Sequence, residues 1–109
     1  MKFLGIYRGR LDIIADILSV ASKNAKKTQI MYQANLSYSV MQRYLAEITG
    51  AQLVSFENEK HCYSLTEKGR SFLEAYEKYS KTNRHVEKRL NDVATKKKVL
   101  EELCLDDHS

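Results

Sequence analysis

The stretch Lys26–Leu45, KKTQIMYQANLSYSVMQRYL, decides how this chain folds, because it holds two helical segments joined by a turn of only a few residues. The first runs from Lys27 to Gln33 with Ile30 and Met31 as its apolar pair. Asn35 ends it, since Asn tolerates the left-handed conformation that closes a helix. Leu36 then supplies a core plug inside the turn, and Ser37 is placed to cap the next helix, its hydroxyl accepting a free backbone N–H. In that next helix Met41, Leu45 and Ile48 recur at spacings of four and three, which sets them on one buried face. Gly50 is expected to stop it.

Working outward, Leu11, Ile14, Ile17, Leu18 and Ala21 form an apolar stripe on an earlier helix, with Asp12 and Asp16 opposite. The pattern breaks over residues 22–27. On the other side, Leu53–Phe56 and His61–Leu65 are short apolar and aromatic runs around Glu57-Asn58-Glu59-Lys60, which predicts a β-hairpin with His61 at the base of its second strand. Thr66 then caps a last helix opened by Glu67 and Lys68. Helix, helix, turn, helix, hairpin, helix is the order of a winged helix-turn-helix. The expected fold class is mainly α with a small β-hairpin: a winged head over residues 1–66 and a long coiled-coil helix over 67–109.

The composition is compatible with this and excludes alternatives. At 109 residues the chain has room for one modest core, and 43% hydrophobic content is too high for wholesale disorder. No apolar stretch approaches the roughly 18 to 20 residues of a membrane span. Met1–Tyr7 has one Lys and too few apolar residues for a signal peptide, so a cytoplasmic protein is expected. Cys62 and Cys104 lie far apart, and His61, His85 and His108 are scattered, so neither a metal site nor a cofactor is expected. No Ser/His/Asp or Cys/His arrangement, Gly-rich phosphate loop or carboxylate pair argues for an enzyme. The net charge is +4, of which residues 1–65 carry +3 (eight basic against five acidic side chains). A mildly basic head beside a charge-balanced helix fits nucleic-acid binding, although +4 is also ordinary for a soluble domain.

A helix-turn-helix lays its second helix in the major groove. With Met41, Leu45 and Ile48 turned inward, the outward face of residues 38–49 carries Tyr38, Ser39, Gln42, Arg43 and Ala46. Arg43 can fork onto guanine or phosphate and Gln42 can read adenine. Tyr38 and Ser39 stand in the first turn, where hydroxyls and free N–H groups suit a phosphate oxygen. Lys26, Lys27 and Thr28, ahead of the preceding helix, would lie beside the same backbone. Singly, each of these is as well explained as solvated surface; as a set on one helix-turn-helix, they read as a DNA interface. Lys60 is the one basic group of the hairpin tip and must act beside Glu57 and Glu59, which weakens a wing contact.

Beyond Thr66 there is no proline to interrupt a helix. Phe72, Tyr76, Tyr79, Asn83, Val86, Leu90, Val93, Lys97, Leu100 and Cys104 alternate at spacings of four and three, a heptad repeat. Tyr76, Asn83, Leu90, Lys97 and Cys104 take the a positions, and Phe72, Tyr79, Val86, Val93 and Leu100 take d. A helix over 67–104 would be about 57 Å long at ~1.5 Å per residue. A small head cannot cover that stripe, so a second copy of the chain is expected along it. Parallel pairing would stack Lys97 on its twin, while allowing Lys96 to meet Glu101 across the g and e positions. One antiparallel register sets Lys97 on Tyr79 and Asn83 on Val93 of the other copy, letting the Lys stem pack on a ring, and the Lys97 argument favours it.

The stretch Lys26–Leu45, with RLDIIADIL (Arg10–Leu18) before it and YSLTEKGRSFLEAY (Tyr63–Tyr76) after it, resembles the archaeal winged-helix regulators. Among these it looks most like the small basic, nucleoid-associated DNA-binding proteins of Sulfolobus-type crenarchaea, and the resemblance covers nearly the whole chain. It implies a winged head, a long C-terminal helix and a homodimer through an antiparallel coiled coil, with Gln42 and Arg43 on the recognition helix. The acidic wing tip and the leader from Met1 to Arg8, readable as an arm or as a strand, depart from that pattern. The expected function is binding of double-stranded DNA with weak sequence preference, in chromosome organisation or broad transcriptional regulation. An operator-specific repressor and a protein-interaction module are the alternatives.

Overall fold

The computed structural model describes residues 8–105; the leader up to Tyr7 and residues 106–109 lie outside the described residues. Four helices and one hairpin follow in the order α1 (Arg10–Ala21), α2 (Lys27–Gln33), α3 (Tyr38–Gly50), β1 (Val54–Glu57), β2 (Cys62–Leu65) and α4 (Glu67–Leu103). The expected fold class and element order are observed. The described chain divides into two units, one up to Tyr76 and one from Glu77 onward.

In the first unit the apolar stripes of α1, α2 and α3 converge. Ile17, Leu18, Ile30, Met41 and Ile48 are its largest fully buried side chains. Each contributes about 1.5–3 kcal/mol relative to exposure, so the inward face of α3 is fixed and its outward face follows. Two corrections concern which residues join this core. Leu11, in the first turn of α1, is 41% exposed and stands outside the buried cluster. Tyr44 is buried beside Met41, Leu45 and Ile48, so the buried face of α3 is wider than the 41–45–48 spacing implies.

Backbone hydrogen bonds set the turns. Asn35 has φ 55°, as its residue type predicts. The N–H groups of Asn35 and Leu36 donate to the carbonyls of Tyr32 and Met31, closing α2 with a paired-bond cap. The Ser37 hydroxyl accepts from the Val40 N–H at 3.4 Å and opens α3. α3 stops at Gly50, as expected, with that glycine as its last helical residue. The left-handed position is Gln52 (φ 64°), whose N–H donates to the Thr49 carbonyl while that of Leu53 donates to the Ile48 carbonyl.

The strands pair antiparallel with Val54 opposite Leu65 and Phe56 opposite Tyr63. His61 is not a strand residue as expected. It sits in the hairpin turn at φ 51°, its ring 6.3 Å from that of Phe56. The break at residues 22–27 proves structured as well. Asn24 adopts φ 59°, and Ala25 exchanges two backbone hydrogen bonds with Tyr63 at 2.8 and 3.0 Å, adding a bridge beside β2.

The start of α4 is fastened to the head. Thr66 Oγ1 donates to the carbonyls of Gln52 (2.7 Å) and Leu53 (3.0 Å), and accepts from the Gly69 N–H at 3.0 Å. Lys68 Nζ donates to the Ala51 carbonyl. Phe72 and Leu73 pack on the core, and the Tyr76 hydroxyl donates to Asp12 Oδ1. In the second unit α4 continues to Leu103, and every described residue from Lys81 on is exposed.

Candidate nucleic-acid interface

The α3 face is built by the capping of the helix and by its core. Because Ser37 caps the Val40 N–H, the N–H groups of Tyr38 and Ser39 are the two first-turn donors left without an intrahelical acceptor. They point out of the helix start, where its dipole is positive. Tyr38 is 57% exposed and Ser39 is exposed. Arg43 is exposed, with its guanidinium carbon 5.4 Å from the centroid of the Tyr44 ring. That ring is buried, so the contact leans a mobile cation on a fixed surface while its N–H fork remains available. Gln42 is half-buried on the same face, which limits its reach compared with Arg43. These four side chains are brought together by one helix.

The other expected residues stand on separate elements. Lys26 precedes α2, and its backbone N–H donates to Gln29 Oε1 at 2.9 Å, leaving its ammonium exposed. Lys27 is half-buried and Thr28 exposed in the first turn of α2. Lys60 is exposed in the hairpin turn between Glu59 and His61.

One contributor escaped the sequence reading. Arg8 donates to Asp16 Oδ2 (2.9 Å) and to the carbonyls of Ala34 (2.7 Å) and Asn35 (2.8 Å). Its guanidinium therefore joins α1 to the carbonyl end of α2, inside the turn that sets the direction of α3. The side chain is only 19% exposed, unlike a free arm. Arg10 at the head of α1 pairs with Glu47 of α3, a second tie on the same helix. An Arg at the edge of an apolar stripe carries no sequence signal for such a clamp.

Among the described residues, no group of three His, Cys, Asp or Glu side chains is placed to hold a metal ion. None of the described helices is long and apolar enough to cross a membrane. Of the seam residues, Phe72 is spent on its own core and Tyr76 on Asp12. Val86, Leu90, Val93 and Leu100 are between 50% and 64% exposed.

The family model of the winged helix-turn-helix matches residues 7–84. Among solved structures, the chain resembles Sso10a-2, a DNA-binding protein from Sulfolobus solfataricus, with 29% identity and a TM-score of 0.64. That match covers 91% of this chain and all of the other. Two variants of ZitR from Lactococcus lactis match at 16% and 14% identity, with TM-scores of 0.56 and 0.54. They cover 92% and 94% of this chain and 76% and 78% of theirs, and they show likeness of fold alone. The curated proteins give no match.

Proposed function

The chain belongs to the winged helix-turn-helix family, and from that premise we propose that it binds double-stranded DNA as a homodimer with weak sequence preference. Its role would be in organising the chromosome or regulating transcription broadly, in the cytoplasm at the nucleoid. The observation that carries the reading is the outward face of α3. Tyr38, Ser39 and Arg43 are exposed there above a buried row of Met41, Tyr44, Leu45 and Ile48. Arg43 is the single charged group among them. A face with one cationic fork and two first-turn hydroxyls grips phosphate well and reads few bases. Sso10a-2, the solved structure matched at 29% identity, is a DNA-binding protein, which supports the same partner here. Lys26, Lys27, Thr28 and Lys60 are proposed as flanking backbone contacts, and Gln42 as a secondary reader. Dimerisation is proposed along α4, with Tyr79, Asn83, Val86, Leu90, Val93, Lys97 and Leu100 as its seam; Phe72 and Tyr76 mark where that seam meets the head.

The test is a salt-titrated binding measurement with random and genomic duplexes. Affinity should fall steeply with salt for both, with similar constants at each salt concentration. Arg43→Glu should weaken binding to every duplex by about tenfold or more, since it removes one charge-assisted contact (about 1.5–3 kcal/mol) and adds repulsion. A variant that binds as well as the parent at low salt would remove α3 from the interface. A preferred site far tighter than bulk DNA would instead make the protein an operator-specific repressor, and absence of any shift would leave a protein-interaction module.

A further inference from the structure

The chain's positive charge is not densest in its head. Between Lys78 and Arg89 five basic side chains stand against one acid, Glu87. Those twelve residues carry net +4, as much as the entire chain. Lys78, Lys81, Arg84 and Lys88 follow at steps of three, three and four, which gathers them on one side of α4, away from Val86, Leu90 and Val93. In the heptad register they take c, f, b and f, the outer positions of a coiled coil, so pairing of two copies leaves them on the surface.

A helix face that only needs solvation usually interleaves opposite charges three and four residues apart. Here Lys81 with Arg84, and Arg84 with Lys88, repeat the same sign at those spacings. Lys81 pairs with Glu77 at 3.6 Å, but both side chains are well exposed and water screens the pair. Glu87 accepts from Asn83 Nδ2 instead. Among the described residues, Lys78, Arg84, Lys88 and Arg89 make no ion pair. The stripe spans about 15 Å at ~1.5 Å per residue. A duplex presents one phosphate charge per roughly 1.7 Å of axis, so a stripe of this length faces several. It holds four cations in a row along one helix side, and contact with phosphate asks nothing more of them than charge.

We infer that the Lys78–Lys81–Arg84–Lys88 face of α4 is a second DNA-binding surface, which holds the phosphate backbone of a duplex segment without reading its sequence. The inference rests on the proposed DNA binding and adds a surface remote in sequence from α3.

The test compares the full-length parent, Arg43→Glu and the fourfold variant K78Q/K81Q/R84Q/K88Q, in which Gln preserves helix propensity. Circular dichroism and sedimentation confirm that helix content and assembly match the parent. The slope of log affinity against log salt should flatten in the fourfold variant by about 0.9 for each phosphate that is no longer neutralised. In the parent, saturation with duplex should protect Lys78, Lys81 and Lys88 from an amine-acylating reagent, read residue by residue by mass spectrometry. An unchanged slope overturns the inference, and so does a flattened slope without protection, which reduces to net charge. If Arg43→Glu abolishes binding while the fourfold variant keeps the parent's slope, the head reading stands and this one falls. If the stripe is protected and Arg43→Glu binds as the parent does, the α4 surface stands and the α3 reading falls. A parent that binds no duplex at low salt removes both.

Discussion

A Cβ atom built on Gly69 would meet the backbone carbonyl of Leu53 and lie 2.7 Å from Leu65 Cδ1. Backbone cannot yield as a flexible side chain can, so α4 must cross the exit of α3 at a position without a side chain. The Thr66 hydroxyl fixes the crossing through its bonds to Gln52 and Leu53. Gly69→Ala should therefore destabilise the fold. The helix-propensity gain is about 1 kcal/mol, whereas overpacking against backbone costs typically 1–3 kcal/mol or more. Urea unfolding should show a lower midpoint with an unchanged slope; a variant as stable as the parent would mean that the crossing is looser than described. Little of this was legible in the sequence. A glycine within a helical pattern is merely tolerated there, and nothing near residue 69 says that a backbone approaches it or that this backbone belongs to Leu53. The same limit hid the Arg8 clamp, whose acceptors Ala34 and Asn35 are backbone carbonyls with no side-chain signature.

Among the elements, α2 and α3 were legible in their order and their joining turn because the signals there are written locally. Asn35 and Ser37 are good at the conformations they adopt, and the apolar spacing on either side of them needs no tertiary information. The end of α3 was legible in its place, Gly50, but not in its closing conformation. Glycine is the usual terminator, yet Gly50 lies two residues before the left-handed position that Gln52 occupies. The pull of tertiary structure sets Gln52 there: its carbonyl receives the Thr66 hydroxyl, and Leu53 next to it enters the core. His61 departs from its expected strand because it takes the left-handed position of the hairpin turn, which His adopts more readily than most residues. A left-handed non-glycine residue costs roughly 1–2 kcal/mol, so Gln52→Gly should stabilise the protein. Part of that gain is offset by the greater flexibility of glycine in the unfolded chain. The expected rise is about 0.5–1 kcal/mol, seen as a higher Tm. A fall in Tm would show that the exposed Gln52 side chain contributes more than its backbone strain removes.

For the whole molecule, the question is what lies along the second unit. Val86, Leu90, Val93 and Leu100 are each at least half exposed in a single chain, and burying such side chains contributes about 1.5–3 kcal/mol apiece. Sedimentation should therefore find a dimer, and Leu90→Glu a monomer. For its orientation we propose the antiparallel one, on the Lys97 argument. In the antiparallel register that seats it on Tyr79 of the other copy, Val86 faces Leu90, and the two Cys104 residues stand about 48 Å apart at ~1.5 Å per residue. A parallel pair sets the two Cys104 residues side by side at facing a positions, the arrangement from which a disulfide can close. Cys104 is exposed and Cys62 buried, so mild oxidation interrogates the first alone. The expected outcome is no rapid disulfide-linked dimer from the parent. Mixing Asn83→Cys with Val93→Cys chains, each with Cys104→Ser, should instead give a crosslinked heterodimer, because the antiparallel register brings those two positions together whereas a parallel pair holds them about 15 Å apart at ~1.5 Å per residue. Rapid linkage through Cys104, with none between the mixed chains, would make the coil parallel; the like-charge Lys97 layer would then have to be relieved by Lys96 and Glu101 across the flanks, and both heads would lie at the same end.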